Sequence, residues 1–113
     1  MKKTPPATLQ AHYERLRQSL ARIGYISQGS VLDRSTLKTP RSGYQWTRKL
    51  ARKTITVALS PQQFQALDKA IRNRKLLNET IHQMEKISRQ ILFASLPDTH
   101  RRKHLARKVL GLN

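Results

Sequence analysis

A chain of 113 residues is the size of one domain, and with 37% hydrophobic and 5% aromatic residues its core is modest, so part of the length is expected as extended helix or tail. Its 23 Lys and Arg against 6 Asp and Glu give a net charge of +17, and self-repulsion on that scale calls for a polyanionic partner. The absence of cysteine excludes a disulfide framework and a thiolate zinc site, and no window approaches the ~18 consecutive apolar residues of a membrane span.

Residues 1–8 read as a flexible basic start, with Lys2 and Lys3 but no apolar stretch behind them, which points to a cytoplasmic protein without membrane attachment. Leu9, Tyr13, Leu16, Leu20 and Ile23 then recur at spacings of four and three, predicting a helix that ends at Gly24. Arg15, Arg17, Gln18 and Arg22 lie on its opposite face. Gly29 to Arg34 reads as a short strand, and Ser35 to Gly43 as a polar, mobile connection.

From Tyr44 to Leu59 the period changes to two. Tyr44, Trp46 and Arg48 share one face of a first strand and Ile55, Val57 and Leu59 one face of a second, predicting a β-hairpin. Its tip, Lys49-Leu50-Ala51-Arg52-Lys53, lacks the Asn-Gly or Asp-Gly pair of a tight two-residue turn, so a longer loop is expected.

Ser60-Pro61-Gln62-Gln63 supplies a capping serine, a proline at the first helical position and a glutamine at the third. Phe64, Leu67, Ile71, Leu77, Ile81, Met84, Ile87 and Ile91 then repeat at helical spacing to about Ala94, where Leu96-Pro97 stops the helix. Leu77, Ile81, Met84 and Ile91 form a nearly heptad stripe, expected to pair with the first helix or with a second copy of the chain. Asp98 is read as the cap of a last short helix to about Leu110, with Gly111 as its stop. The expected fold is α+β and mostly helical: an N-terminal helix, a small β-hairpin or three-stranded sheet, one long helix and a short basic C-terminal helix. Residues 9–96 would form a single domain and residues 97–113 a basic arm that acts by charge rather than by packing.

Three basic groups are candidates for phosphate contact. Arg34, Lys38, Arg41, Arg48, Lys49, Arg52 and Lys53 stand together without an acid, Arg72, Arg74 and Lys75 interrupt the long-helix stripe, and Arg101, Arg102, Lys103, Arg107 and Lys108 crowd the last segment. Tyr44 and Trp46 either stack on unpaired bases or form the lid of the small core. The six acids are scattered and form no close pair to hold magnesium, and no phosphate-binding glycine loop or nucleophile elbow is present. His100 and His104 are four apart, but the adjacent cations oppose a divalent ion. A non-enzymatic protein without metal or cofactor is expected.

The stretch Ser42-Gly43-Tyr44-Gln45-Trp46-Thr47-Arg48-Lys49, then Lys53-Thr54-Ile55-Thr56 and Leu59-Ser60-Pro61-Gln62-Gln63, resembles a group of small basic bacterial proteins encoded beside insertion sequences and transposases. The resemblance covers about residues 9 to 94. It departs at Ser35-Thr36-Leu37-Lys38, where many members carry cysteines, and at Arg52, where glycine usually precedes Lys-Thr. It implies a protein of the bacterial cytosol or nucleoid that works with a mobile element, and so with DNA or a larger nucleoprotein complex. The leading expectation is a DNA-binding accessory subunit of such a complex. An RNA-binding or ribonucleoprotein subunit is the first alternative, and a helical adaptor that pairs or forms a homodimer through the long-helix stripe is the second.

Overall fold

The computed structural model describes residues 5–99 and 104–113. In chain order it contains helix α1 (Pro6–Leu20), strand β1 (Ser30–Asp33), a 3-10 turn (Arg34–Thr36), strands β2 (Tyr44–Leu50) and β3 (Lys53–Leu59), and helix α2 (Pro61–Ser95). The fold is α+β and mostly helical, with one three-stranded antiparallel sheet in the order β1-β2-β3.

Local chemistry accounts for the helix starts. Pro6 occupies the first turn of α1, where its missing N–H costs nothing, so the helix begins three residues before the expected Leu9. α2 opens on a reciprocal capping box: Gln63 N–H donates to Ser60 Oγ at 3.1 Å, and Ser60 N–H donates to Gln63 Oε1 at 3.0 Å. α2 then runs 35 residues, about 52 Å at 1.5 Å per residue, and stops before Pro97 as expected.

A helix of that length outruns a small domain, and the chain divides into two compact units rather than the single domain expected over residues 9–96. One is built from Ile23–Leu77, and the other from α1 together with the chain from Asn78 onward.

Two boundaries differ from expectation. α1 ends at Leu20, with Ala21 still right-handed, and Gly24 is not the left-handed stop. Gly24 instead lies beside Asn73, where a Cβ would meet Nδ2 at 3.4 Å; close by, Asn73 Nδ2 donates to the Tyr25 carbonyl at 2.9 Å and Ser27 N–H donates to the Ala70 carbonyl. The expected C-terminal helix is reduced, among the described residues, to one turn: Leu110 N–H donates to the Ala106 carbonyl. Leu112 N–H to Arg107 O and Gly111 N–H to Lys108 O close it as a Schellman motif, with Gly111 at φ +71°.

The core is thin. Among the described residues the buried apolar side chains are Leu9, Ala70, Ile87 and Leu112, while Tyr25, Leu96, Val109 and several other large apolar groups stand exposed.

Candidate nucleic-acid interface

In the unit Ile23–Leu77 the strand register sorts the side chains. Trp46 stands opposite Val31 on one side and Val57 on the other, so Val31, Tyr44, Trp46, Arg48, Ile55, Val57 and Leu59 share one face. The other face carries Leu32, Gln45, Thr47, Lys49, Thr54, Thr56 and Ala58. On the first face the Tyr44 ring meets that of Phe64 in α2, with centroids 4.4 Å apart, while Val57 is exposed. Trp46 donates from Nε1 to the Gln28 carbonyl at 3.0 Å, and the Arg48 guanidinium lies 5.5 Å from its ring centre. Gly29 is required there: its φ is +101°, and a Cβ would approach Trp46 Nε1 to 2.5 Å and the Thr47 carbonyl to 2.6 Å. Both aromatic rings proposed for base stacking are thus half-buried and engaged within the protein. The strongly exposed aromatic is Tyr25, at 92%, which no periodicity singled out.

The seven cations from Arg34 to Lys53 fall into two groups at opposite ends of β2, about 20 Å apart along seven strand residues. Arg34, Lys38 and Arg41 belong to the β1–β2 connection. That segment is organised rather than loose: Arg34 N–H donates to Gly43 O, Arg41 N–H donates to Arg34 O, and Arg34 Nε donates to Gln45 Oε1 at 3.2 Å. Lys49, Arg52 and Lys53 are exposed at the hairpin tip, with Arg48 half-buried just behind them. The Arg48 Nε is buried without a hydrogen-bond partner, so that side chain is held chiefly by its contact with Trp46.

The tip is tighter than expected. Leu50 pairs with Lys53, leaving Ala51 and Arg52 as a two-residue turn, at φ +50° and +68°. Positive φ at both central residues is the signature of a type I′ turn, whose right-handed twist suits the flanking strands. The ladder thus imposes on Ala51 and Arg52 a conformation that their own preferences disfavour. β1 pairs with β2 only as far as Thr47, so from Arg48 to Ile55 the hairpin is a two-stranded overhang.

Acidic neighbours do little to neutralise this unit. Asp33 is engaged locally: the Ser35 hydroxyl at 2.7 Å and the Ser35 N–H at 2.9 Å donate to its carboxylate and hold its pKa below the ordinary value. Asp68 pairs with Arg72 at 3.1 Å on an exposed helix surface, where such a pair contributes little. Arg72, Arg74 and Lys75 are all exposed, and the inward side of the helix here carries Ala70, Ile71 and Leu77 with the polar Asn73 between them.

The other unit receives the remaining candidates. Ile81 and Met84 line an open groove of about 390 Å³ with Tyr13 and Leu20 of α1. Ile81 is nevertheless 39% exposed, Met84 and Ile91 are half-buried, and the residue that anchors the stripe is Ile87, 4% exposed. Leu77 is half-buried in the first unit. At the C-terminus, Leu112 is buried and Arg89 and Gln90 donate to the carbonyls of Gly111 and Leu112, so the end of the segment packs where charge alone was expected to act. Arg107 and Lys108 are exposed on the turn, and Arg107 also donates to Asn113 Oδ1. Arg101, Arg102 and Lys103 lie outside the described residues, as does His100.

These features define a small α+β protein whose three-stranded sheet carries a basic β-hairpin. No protein-family model matches the chain, and no curated protein or solved structure is significantly similar to it. Among the described residues no helix is long and apolar enough to cross a membrane.

Proposed function

We propose that this chain is a non-enzymatic accessory module that holds double-stranded DNA by neutralising backbone phosphates, in the mobile-element nucleoprotein setting implied by its sequence resemblance. The observation that carries the reading is the uncompensated charge of the sheet unit. From Arg34 to Leu67 seven cations occur without an acid, and the two acids flanking that stretch are engaged by Ser35 and Arg72. Duplex is favoured over unpaired bases because the two aromatics of the ribbon, Tyr44 and Trp46, are held by Phe64, Gln28 and Arg48 while its basic tip protrudes. An accessory role accords with the exposed Leu92 and Leu96 near the end of α2, apolar surface of the kind that protein partners cover.

The test is equilibrium binding of the full chain to duplex DNA, single-stranded DNA and folded RNA over a series of salt concentrations. Duplex DNA is expected to bind most tightly, with log affinity falling linearly in log salt. Absence of duplex binding at low salt, or tighter binding to RNA, contradicts the proposal.

A further inference from the structure

We infer that the overhang from Arg48 to Ile55 enters the major groove of duplex DNA tip first and that Arg52, at its apex, contacts a guanine edge. The inference rests on the DNA-binding reading above and adds base contact to what is otherwise a phosphate-binding surface.

The backbone supplies the first argument. Arg52 sits at φ +68° in the second position of a two-residue turn, a conformation that glycine adopts without penalty and a side chain with a Cβ resists. A long cationic side chain thus stands at a turn position where local preference favours glycine. Strain retained at an exposed apex is characteristic of functional positions.

Dimensions supply the second. Beyond the last β1 pairing at Thr47 only β2 and β3 continue, through the pairs Arg48–Ile55, Lys49–Thr54 and Leu50–Lys53. That gives a ribbon about 13 Å long with strands ~4.8 Å apart. The B-form major groove, about 12 Å wide and 8.5 Å deep, admits a two-stranded ribbon, whereas the minor groove, about 6 Å wide, is closed to it unless the duplex is bent or widened. The deep, narrow major groove of A-form RNA is closed to it as well.

Chemistry supplies the third. A guanidinium presents paired donors that match guanine O6 and N7. Lys49 and Lys53, exposed on either strand behind the apex, are placed for the phosphates that wall the groove, and Thr54 beside Lys49 adds a hydroxyl and a methyl group.

The test selects duplexes from a random pool with the full-length parent and with Arg52→Gly. The glycine variant relaxes the turn, so it should melt at or above the parent temperature, separating loss of recognition from loss of fold. The parent is expected to enrich a guanine whose replacement weakens binding by about 5- to 150-fold. Methylating N7 of that guanine should weaken the parent similarly, and Arg52→Gly should lose the preference. If the parent binds DNA but enriches no guanine, tolerates N7 methylation, or shares its preference with Arg52→Gly, the groove assignment is overturned while the phosphate-binding reading stands. A parent that binds no duplex overturns both.

Discussion

Arg89 donates from Nε to the carbonyl oxygen of Gly111 at 2.7 Å, across 22 residues of sequence. Its neighbour Gln90 donates to the Leu112 carbonyl at 2.5 Å, and the Leu112 side chain is buried. The end of the chain therefore contributes to the stability of the unit containing α1 and the second half of α2. Leu112→Ala should lower stability by about 2 kcal/mol, the lower end for removing a buried leucine near the surface. Gly111→Ala should also destabilise, because φ is +71° and a Cβ would lie 2.4 Å from Arg89 Nε. Urea unfolding is the check; an unchanged midpoint for both variants would return this segment to the status of a free basic arm.

Gly29 and Trp46 make a comparable close contact in the sheet unit. Gly29→Ala should destabilise it by about 2 to 3 kcal/mol, since the new methyl collides with the Thr47 backbone as well as with the indole. Trp46 fluorescence followed through unfolding reads this directly. A variant with the parent's emission and midpoint would mean that the indole is not fixed against the Gln28–Gly29 strand entry.

Asp33 links the same unit to pH. Hydrogen bonds from Ser35 stabilise its charged form, so its folded pKa lies below the 3.8 of an unperturbed side chain. A depressed carboxyl pKa contributes stability that is fully present above the unfolded pKa and disappears as pH falls through the folded one. Stability should therefore decline below about pH 4, and Asp33→Asn should shallow that decline. Carboxyl chemical shifts followed by NMR give the midpoint; a value at or above 3.8 would contradict the Ser35 contacts.

What could be read in the sequence was local. Ser60 and Gln63 meet within one helical turn, so their spacing alone identifies the start of α2, and the period-two run on both sides of the tip identifies the hairpin. The tight turn was not legible because Ala51 and Arg52 do not favour it; pairing along seven residues on each strand overrides their preference. Periodicity placed both Ile81 and Ile87 on the apolar face of α2 but did not show what covers it, and so could not tell that Ile87 is buried and Ile81 exposed. The docking of the C-terminus rests on one leucine and two side-chain bonds to backbone carbonyls, which composition does not register. The cations were legible as residue types. Their division between the two ends of β2 follows only from topology.

The measurement closest to the central claim compares the salt dependence of duplex DNA binding for the parent and for the variant carrying Arg48→Gln, Lys49→Gln, Arg52→Gln and Lys53→Gln. Each phosphate contact contributes about 0.9 to the slope of log affinity against log salt concentration. With the variant folded by circular dichroism, its slope should be shallower than the parent's by about 2 to 4, and its affinity at moderate salt correspondingly lower. The same slope and affinity for both proteins would remove the hairpin from the DNA-binding surface and contradict the account.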